Sequence, residues 1–152
     1  MQVRVQREDF DLSTEIASLR AGHGDVGAVV AFVGTVREMN GTGAVSHMEL
    51  EHYPGMTEAA LEAIALEASQ RWSISDILVI HRIGSLQGCD QIVLAAVAAR
   101  HRGEAFAACE FVMDYLKTRA PFWKKETTER GAQWVEARAS DEASLAKWHT
   151  PA

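Results

Sequence analysis

The chain has 152 residues, of which 47% are hydrophobic and 24% are charged, and its formal net charge is −6. This length is typical of a single domain, and the composition excludes disordered, collagen-like and coiled-coil proteins. The negative charge argues against a nucleic-acid partner, which requires a strong positive field. Neither a signal peptide nor a run of about 18 apolar residues occurs, so we expect a cytoplasmic protein without a membrane partner.

The first predicted elements are two strands joined by a glycine-rich loop. Residues 27–33 form a short β-branched run bounded by glycines, which predicts a buried strand. The strand leads to Arg37, and residues 38–44 have the composition of a mobile, turn-rich loop. Residues 45–53 are predicted to return as a second strand, the hairpin partner of the first.

An amphipathic helix and two paired strands are predicted next. Residues 57–72 have apolar side chains at helical spacing and glutamates on the other side. The apolar positions of this helix are Leu61, Ile64, Ala68 and Trp72. The apolar runs 77–83 and 92–99 are separated by a turn region with two glycines, which indicates two strands of a largely covered sheet.

A second long helix is predicted over residues 103–117 and must end before Pro121, because proline lacks the amide donor that a helix needs. Its predicted apolar face consists of Phe106, Cys109, Met113 and Leu116. Runs of strands separated by long helices indicate an α+β fold with a mainly antiparallel sheet and two long helices.

Positive charge is concentrated in one segment of this acidic chain. Residues 100–125 contain six Lys or Arg and three acidic side chains, a local charge of +3, so the remainder carries −9. This distribution favours a local anion site over a nucleic-acid surface. Lys117 and Arg119 also have a purely structural explanation, since cations at a helix C-terminus interact favourably with the helix dipole.

A second basic cluster, residues 100–102, lies where an apolar strand meets the start of the second long helix. Free backbone amides and the helix dipole favour a phosphate at such a position. If the ends of these elements meet, one site would hold a doubly charged phosphate. Its members would be Arg37, His101, Arg102, Lys117 and Lys124.

Other kinds of site lack their signatures. The six histidines show no metal-ligand spacing, so neither a metal nor a cofactor is expected. His81 is interpreted as a satisfied strand residue. Cys109 is expected to be a small core residue, whereas Cys89 lies in a turn and could be exposed and reactive. Motifs of serine hydrolases, nucleotide-binding loops and dinucleotide-binding folds are absent from the sequence.

Several sequence motifs closely resemble the catalytic-subunit family of molybdopterin synthase. They are FVGTVR (32–37), LEHYPGMTE (50–58), VIHRIG (79–84), RHRGEAF (100–106) and MDYLKTRAPFWKKE (113–126). The resemblance covers about residues 27–138 in register. It implies an α/β hammerhead fold and a single catalytic-subunit domain over residues 1–152.

The resemblance implies an enzyme of molybdenum cofactor biosynthesis, a sulfurtransferase. Its expected substrate is cyclic pyranopterin monophosphate (precursor Z), and its product is molybdopterin. Sulfur is expected to arrive as the C-terminal glycine thiocarboxylate of a small ubiquitin-like sulfur-carrier subunit. The expected assembly is a heterotetramer, with a homodimer of this chain at its centre and one carrier at each end.

The resemblance also assigns roles to particular residues. Lys117 matches the essential lysine at the entry of the carrier tail, and Lys124 matches a second functional lysine. We expect the pKa of Lys117 to be lowered by the neighbouring cations. The other matched positions, expected to bind substrate, are Thr35, Val36, Arg37, His101, Arg102, Lys125 and Glu126. Two rival interpretations are a non-catalytic phosphate-binding module and a module that binds a ubiquitin-like tail without chemistry.

Overall fold

The computed structural model describes residues 1–40, 43–128, 131–135 and 139–149, with side chains for 1–38, 47–124 and 143–149. Within these residues, nine strands and four helices follow in the order β1 α1 β2 β3 β4 α2 β5 β6 β7 α3 β8 β9 α4. The strands are Gln2–Gln6, Ala28–Thr35, Met39–Asn40, Gly43–His52, Asp76–Arg82, Gly84–Gln87, Gln91–Ala99, Phe122–Thr128 and Gly131–Val135. The helices are Leu12–Arg20, Met56–Arg71, Arg102–Arg119 and Ala139–Ala146, and a 3-10 turn follows at Lys147–His149.

A four-stranded sheet in the order β1-β5-β7-β2 forms the centre of the fold. The pair β1–β5 is parallel, whereas β5–β7 and β7–β2 are antiparallel. One face of this sheet packs against Phe10 and against Leu19 of α1. The other face packs against α2 and α3. Because both faces are covered, β5 and β7 are apolar along nearly their whole length. The predicted α+β class, with two long helices and mainly antiparallel strands, is confirmed.

A second sheet has the order β3-β4-β8-β9, and β6 also pairs with β4. The prediction that β4 is the hairpin partner of β2 is therefore wrong. Strand β2 instead pairs along its length with β7, from Ala28 opposite Ala99 to Thr35 opposite Gln91. Both of these strands have small and β-branched residues that suit a covered sheet, whereas β4 alternates buried Met48 and Leu50 with less buried neighbours.

Two short strands were not predicted. Strand β3 lies within the segment expected to be a mobile loop, and Met39 and Asn40 pair with Ala44 and Gly43. Positions 41 and 42 of that expected loop lie outside the described residues. Strand β6 occupies most of the turn region expected between β5 and β7. Both strands are too short for hydrophobic periodicity to reveal them.

Helix α2 forms as its sequence predicts. It buries Leu61, Ile64 and Ala68 in the main core. Its first turn is capped by Glu58, whose Oε1 accepts a hydrogen bond of 3.2 Å from the backbone N–H of Gly55. Gly55 has a φ of +84°, a conformation that other residues rarely adopt.

Helix α3 extends the predicted 103–117 by one residue at its start and two at its end. Cys109, Met113 and Leu116 are buried as expected, but Phe106 is 61% exposed, so its predicted place in the core is wrong. Ala105 and Ala108 face the sheet instead. Successive residues of a helix are rotated by about 100°, so the side chain of Phe106 points about 100° away from that of Ala105.

Replacing Gly27 by alanine is expected to destabilise the chain by about 1–3 kcal/mol, the usual cost of overpacking. A Cβ at this position would lie 2.3 Å from the backbone oxygen of Arg100, which has little freedom to move. Thermal unfolding of Gly27→Ala beside Gly24→Ala measures the effect, because a Cβ on Gly24 meets nothing within 4 Å. Equal melting temperatures for the two variants would contradict the expected clash between a Cβ at position 27 and the Arg100 carbonyl oxygen.

Candidate functional site

Lys117 and Lys124 are brought to the same part of the molecule by the chain reversal between α3 and β8. Lys117 is exposed in the last turn of α3, and Lys124 is half-buried in β8 opposite Leu50 of β4. The reversal is fastened by Thr57, which is fully buried and donates a 2.9 Å hydrogen bond from Oγ1 to the Pro121 carbonyl. This contact connects the segment between the two lysines to the start of α2.

His81 lies beside the two lysines and is almost completely buried, with 5% of its surface exposed. Its ring stacks on Phe122, with centroids 3.8 Å apart and an interplanar angle of 19°. Burial lowers the pKa of His81 to about 3, opposed by a hydrogen bond to the Arg82 carbonyl. The charges of Lys117, Lys124 and His52 lower that pKa further. The ring is therefore neutral at physiological pH.

Arg37 lies at the same end of the central sheet as Lys117. It is exposed just beyond β2, whose last residue, Thr35, pairs with Gln91 at the start of β7. Helix α3 runs antiparallel to β7, and the Cys109 thiol, 3.5 Å from the Ala95 carbonyl, places the middle of the helix over the middle of the strand. Two further turns then carry Lys117 about 12 Å towards the Gln91 end.

His101 and Arg102 lie at the opposite end of α3. His101 occupies the N-cap position without a side-chain capping bond, Arg102 begins the helix, and both side chains are exposed. Fifteen residues separate Arg102 from Lys117, which corresponds to about 22 Å along the helix axis. A single chain therefore brings Arg37, Lys117 and Lys124 to one end and leaves the His-Arg pair at the other. The single convergent cluster considered from the sequence does not form within one chain.

Thr35 and Val36 precede Arg37 but differ in exposure. Thr35 is exposed, whereas the Val36 side chain is 2% exposed and belongs to the main core. The Val36 N–H donates to the Asp90 carbonyl, and its own carbonyl accepts from the Cys89 N–H, both at 2.9 Å. The Val36 side chain is thus packed in the core, and its N–H and carbonyl are both hydrogen-bonded. These contacts hold the segment that contains Arg37.

Lys125 and Glu126 continue β8, where they pair with Glu49 and Met48 of β4. Their side chains lie outside the described residues.

Comparison with known proteins identifies the family. A model of the MoaE protein family matches residues 5–119. The chain belongs to the MoaE family. A curated relative from Ralstonia nicotianae, called "Molybdopterin synthase catalytic subunit", is 64% identical over 146 residues, which are 96% of this chain and 83% of the relative.

Solved structures of MoaE proteins share the fold. "Molybdopterin biosynthesis MoaE protein from Burkholderia ambifaria MC40-6" is 57% identical, with a TM-score of 0.85 and 99% of each chain covered. A protein of Helicobacter pylori, described as a complex of subunits 1 and 2 of molybdopterin-converting factor, is 17% identical over 90% of each chain. Its TM-score of 0.71 shows the common fold alone. The family and the enzymatic function predicted from the sequence motifs are confirmed.

The two cysteines of this MoaE family member are unpaired and occupy different environments. Burial raises the pKa of the Cys109 thiol to about 11. Cys89 is exposed, as expected, but a hydrogen bond to Glu38 and the charge of that carboxylate raise its pKa as well. Both thiols are therefore protonated at neutral pH, which disfavours the nucleophilic form that the turn position of Cys89 suggested.

The double variant Cys89→Ser, Cys109→Ser is expected to keep most of its activity, because neither thiol has the character of a sulfur carrier. We expect a stability loss of about 1–3 kcal/mol, from placing a hydroxyl at the buried position 109. Turnover with a thiocarboxylated carrier, measured beside melting temperature, tests both statements. A folded double variant without turnover would indicate an enzyme-bound sulfur relay, and Cys89→Ser alone would then locate it.

Sequence reasoning missed four contributors to this site: His52, Thr57, His81 and Phe122. His81 was interpreted only as a satisfied strand residue and Thr57 was not singled out, because the sequence around a buried polar residue does not show which distant side chains contact it. Among the described residues, no group of three or more His, Cys, Asp or Glu could hold a metal ion. Within the same residues, no helix is long and apolar enough to cross a membrane.

Proposed function

We propose that this chain transfers sulfur to cyclic pyranopterin monophosphate (precursor Z) and forms molybdopterin, with a small ubiquitin-like protein as sulfur donor. The observation that carries the proposal is the meeting of Lys117 and Lys124 beside a neutral His81 in a member of the MoaE family. The name of the Ralstonia relative, a catalytic subunit, supports a further subunit in the assembly.

The proposed reaction requires orientation and charge stabilisation from the protein. A thiocarboxylate is already a sulfur nucleophile, so the protein need not supply a thiol, and both cysteines here are protonated. Lys117 is proposed to orient the carrier's C-terminal tail and to stabilise charge, with Lys124 beside it. Two sulfurs are required for a dithiolene, so two carrier molecules act in turn.

The residues that the sequence motifs assign to substrate binding lie at both ends of α3. Arg37 is proposed to bind the substrate phosphate, because a guanidinium forms paired hydrogen bonds with phosphate oxygens. Thr35 and the backbone of Val36 are proposed to line the same pocket, with Lys125 and Glu126 at its β8 side. His101 and Arg102 of the same chain lie at the far end of α3, so their proposed role requires a second copy of the chain.

The edge of the central sheet supplies a surface for that second copy. Strand β2 is the last in its sheet, and Phe32, on the face of β2 towards α3, is 41% exposed. Phe106 of α3 is 61% exposed. Exposed aromatic residues beside an edge strand favour association between copies. We propose a homodimer through this edge, and a sedimentation measurement that gives a monomer near 16.7 kDa at micromolar concentration would contradict it.

A twofold contact along β2 would complete the phosphate site. Two copies of β2 related by a twofold axis perpendicular to the strands run antiparallel, so the Thr35 end of one lies by the Ala28 end of the other. The Ala28 end adjoins Arg100, since the Gly27 N–H donates a 3.0 Å hydrogen bond to the Ala99 carbonyl. His101 and Arg102 of one copy would then approach Arg37 of the other.

The proposed assembly is a heterotetramer with one carrier subunit at each end of the homodimer, and the proposed location is the cytoplasm. The description of the Helicobacter pylori relative as a two-subunit complex is consistent with such an assembly. We propose one functional domain over residues 1–152.

Reconstitution tests the function directly. The purified chain is mixed with cyclic pyranopterin monophosphate and either thiocarboxylated or unmodified carrier, and the dithiolene product is measured. Product is expected only with the thiocarboxylated form. A folded chain that binds the carrier tail but yields no product would instead support a tail-binding module. Binding of polyanions with a steep salt dependence, and no turnover, would support a phosphate-binding module.

A further inference from the structure

His81 occupies an unusual position for a histidine, near the end of the central strand β5 and buried on the side of α2 and α3. It alternates with Ile77 and Val79, which belong to the same core, whereas Leu78 and Ile80 face α1. Its ring stacks on Phe122, the first residue of β8. Phe122 and Lys124 are two residues apart and so share one face of that strand. The ring is thus held against the strand that presents Lys124.

The hydrogen bond of His81 defines which ring nitrogen carries the proton. Nδ1 lies 2.8 Å from the carbonyl oxygen of Arg82. A carbonyl oxygen only accepts, so Nδ1 must be the donor. In a neutral imidazole the other nitrogen, Nε2, then has a lone pair and can only accept a hydrogen bond.

Charged and titratable groups surround this ring from three packed elements. Lys117 comes from α3, Lys124 from β8 and His52 from β4. His52 in turn lies 3.7 Å from the carboxylate of Glu58 at the start of α2. Each of these three neighbours disfavours a second proton on His81. The ring therefore stays neutral among cations, and the lone pair on its acceptor nitrogen attracts an ammonium group.

We propose that His81 is a positioning residue, whose Nε2 accepts a hydrogen bond from the Lys117 or Lys124 ammonium and orients it towards the carrier tail and substrate. The proposal rests on the function proposed above for the two lysines. A neutral acceptor suits this role because a carboxylate would neutralise the lysine and compete with an anionic thiocarboxylate for it. The stack on Phe122 and the bond to the Arg82 carbonyl hold the ring, so the acceptor has one orientation.

The lysines themselves provide a test that does not depend on turnover. The chain has four lysines, Lys117, Lys124, Lys125 and Lys147, so their side-chain carbon-13 NMR signals can be assigned with single Lys→Arg variants. An acceptor bonded to the ammonium form raises the pKa of a lysine. In His81→Phe, which keeps a ring for the stack but has no acceptor, the pKa of Lys117 or Lys124 should fall by about 0.4–1 unit.

Two comparisons distinguish the loss of the His81 acceptor from a general change of structure in His81→Phe. Lys147 is an internal control, because it lies 3.3 Å from the Asp114 carboxylate and is also bonded to Glu110, so its titration should not change. His81→Gln is the matched variant, since its amide oxygen offers a neutral acceptor near the position of Nε2 and should restore most of the lost pKa. Unchanged pKa values for Lys117 and Lys124 in folded His81→Phe would overturn the proposal.

A measurement on the unmodified ring decides the matter if His81→Phe does not fold. Nitrogen-15 NMR of the native chain should show a neutral ring with the proton on Nδ1, and its Nε2 signal should shift in Lys117→Ala or Lys124→Ala. A proton on Nε2, or an Nε2 signal that neither variant shifts, would overturn the proposal.

Activity measurements distinguish this inference from the proposed function. With thiocarboxylated carrier, His81→Phe should lose about tenfold or more in turnover and His81→Gln should recover much of it. If the NMR results are as expected but the native chain makes no product, the proposed function fails and the positioning contact stands. If the native chain makes product but the pKa values of Lys117 and Lys124 are unchanged in His81→Phe, only the positioning role fails.

Discussion

Replacing Lys117 by alanine is expected to reduce product formation by at least about 100-fold, the usual loss when a group that transfers a proton or stabilises charge is removed. The variant should remain a folded, carrier-binding dimer, because the exposed side chain contributes little to the core. A role limited to the helix dipole would cost about 0.3–1 kcal/mol of stability and leave turnover intact. Single-turnover assays with saturating thiocarboxylated carrier, beside thermal unfolding, measure the two effects separately.

Arg20 offers a matched control for Lys117. It is also an exposed cation in the last turn of a helix, α1, and we place it in no site. Arg20→Ala should therefore match the small stability change of Lys117→Ala and keep normal turnover. Near-normal turnover in Lys117→Ala itself would remove Lys117 from the proposed chemistry and favour the purely structural explanation of its position.

Mixing two variants that bind substrate weakly is expected to restore part of the activity if the phosphate site is shared between copies. Arg37→Ala and Arg102→Ala should each weaken substrate binding, because each deletes a phosphate contact. In a heterodimer of the two, one site carries both substitutions and the other carries neither. Random reassembly of equal amounts should return about a quarter of the native sites, measured as kcat/KM at low substrate concentration.

The control for this mixture is a pair of variants from the same end of the chain. Arg37→Ala mixed with Lys117→Ala should not recover, because Arg37 and Lys117 lie at one end of the same chain and are proposed to serve the same site. A heterodimer of these two has one site without Arg37 and one without Lys117. Recovery in this control, or none in the Arg37→Ala and Arg102→Ala mixture, would contradict the antiparallel contact along β2.

Local sequence pattern was sufficient for the elements with a strong period. The helices α2 and α3 and the strands β2, β5 and β7 were all predicted to within a few residues, because their hydrophobic repeat is long enough to identify. Five site residues stand out in the sequence as basic residues near the ends of these elements: Arg37, His101, Arg102, Lys117 and Lys124. The motifs that contain them led to the MoaE family.

Strand partners required the tertiary structure. Residues 45–53 form a strand, as predicted, but their pairing with β8 and β6 depends on contacts between segments far apart in the chain. Nothing in a local alternation of polar and apolar residues specifies which edge a strand joins. Likewise, Phe106 matches the apolar repeat of α3, yet small alanines bring the helix onto the sheet and leave Phe106 outside.

By itself, the sequence determined which residues are charged, where the long helices and covered strands lie, and which family the chain resembles, because these depend on composition and on neighbours along the chain. Only the tertiary structure decided that Arg37, Lys117 and Lys124 share one end of the molecule while His101 and Arg102 lie about 22 Å away along α3. It also decided that His81 is buried and neutral beside the two lysines. Burial and the distances between charges arise from packing of distant segments, and these set the electrostatics of the site.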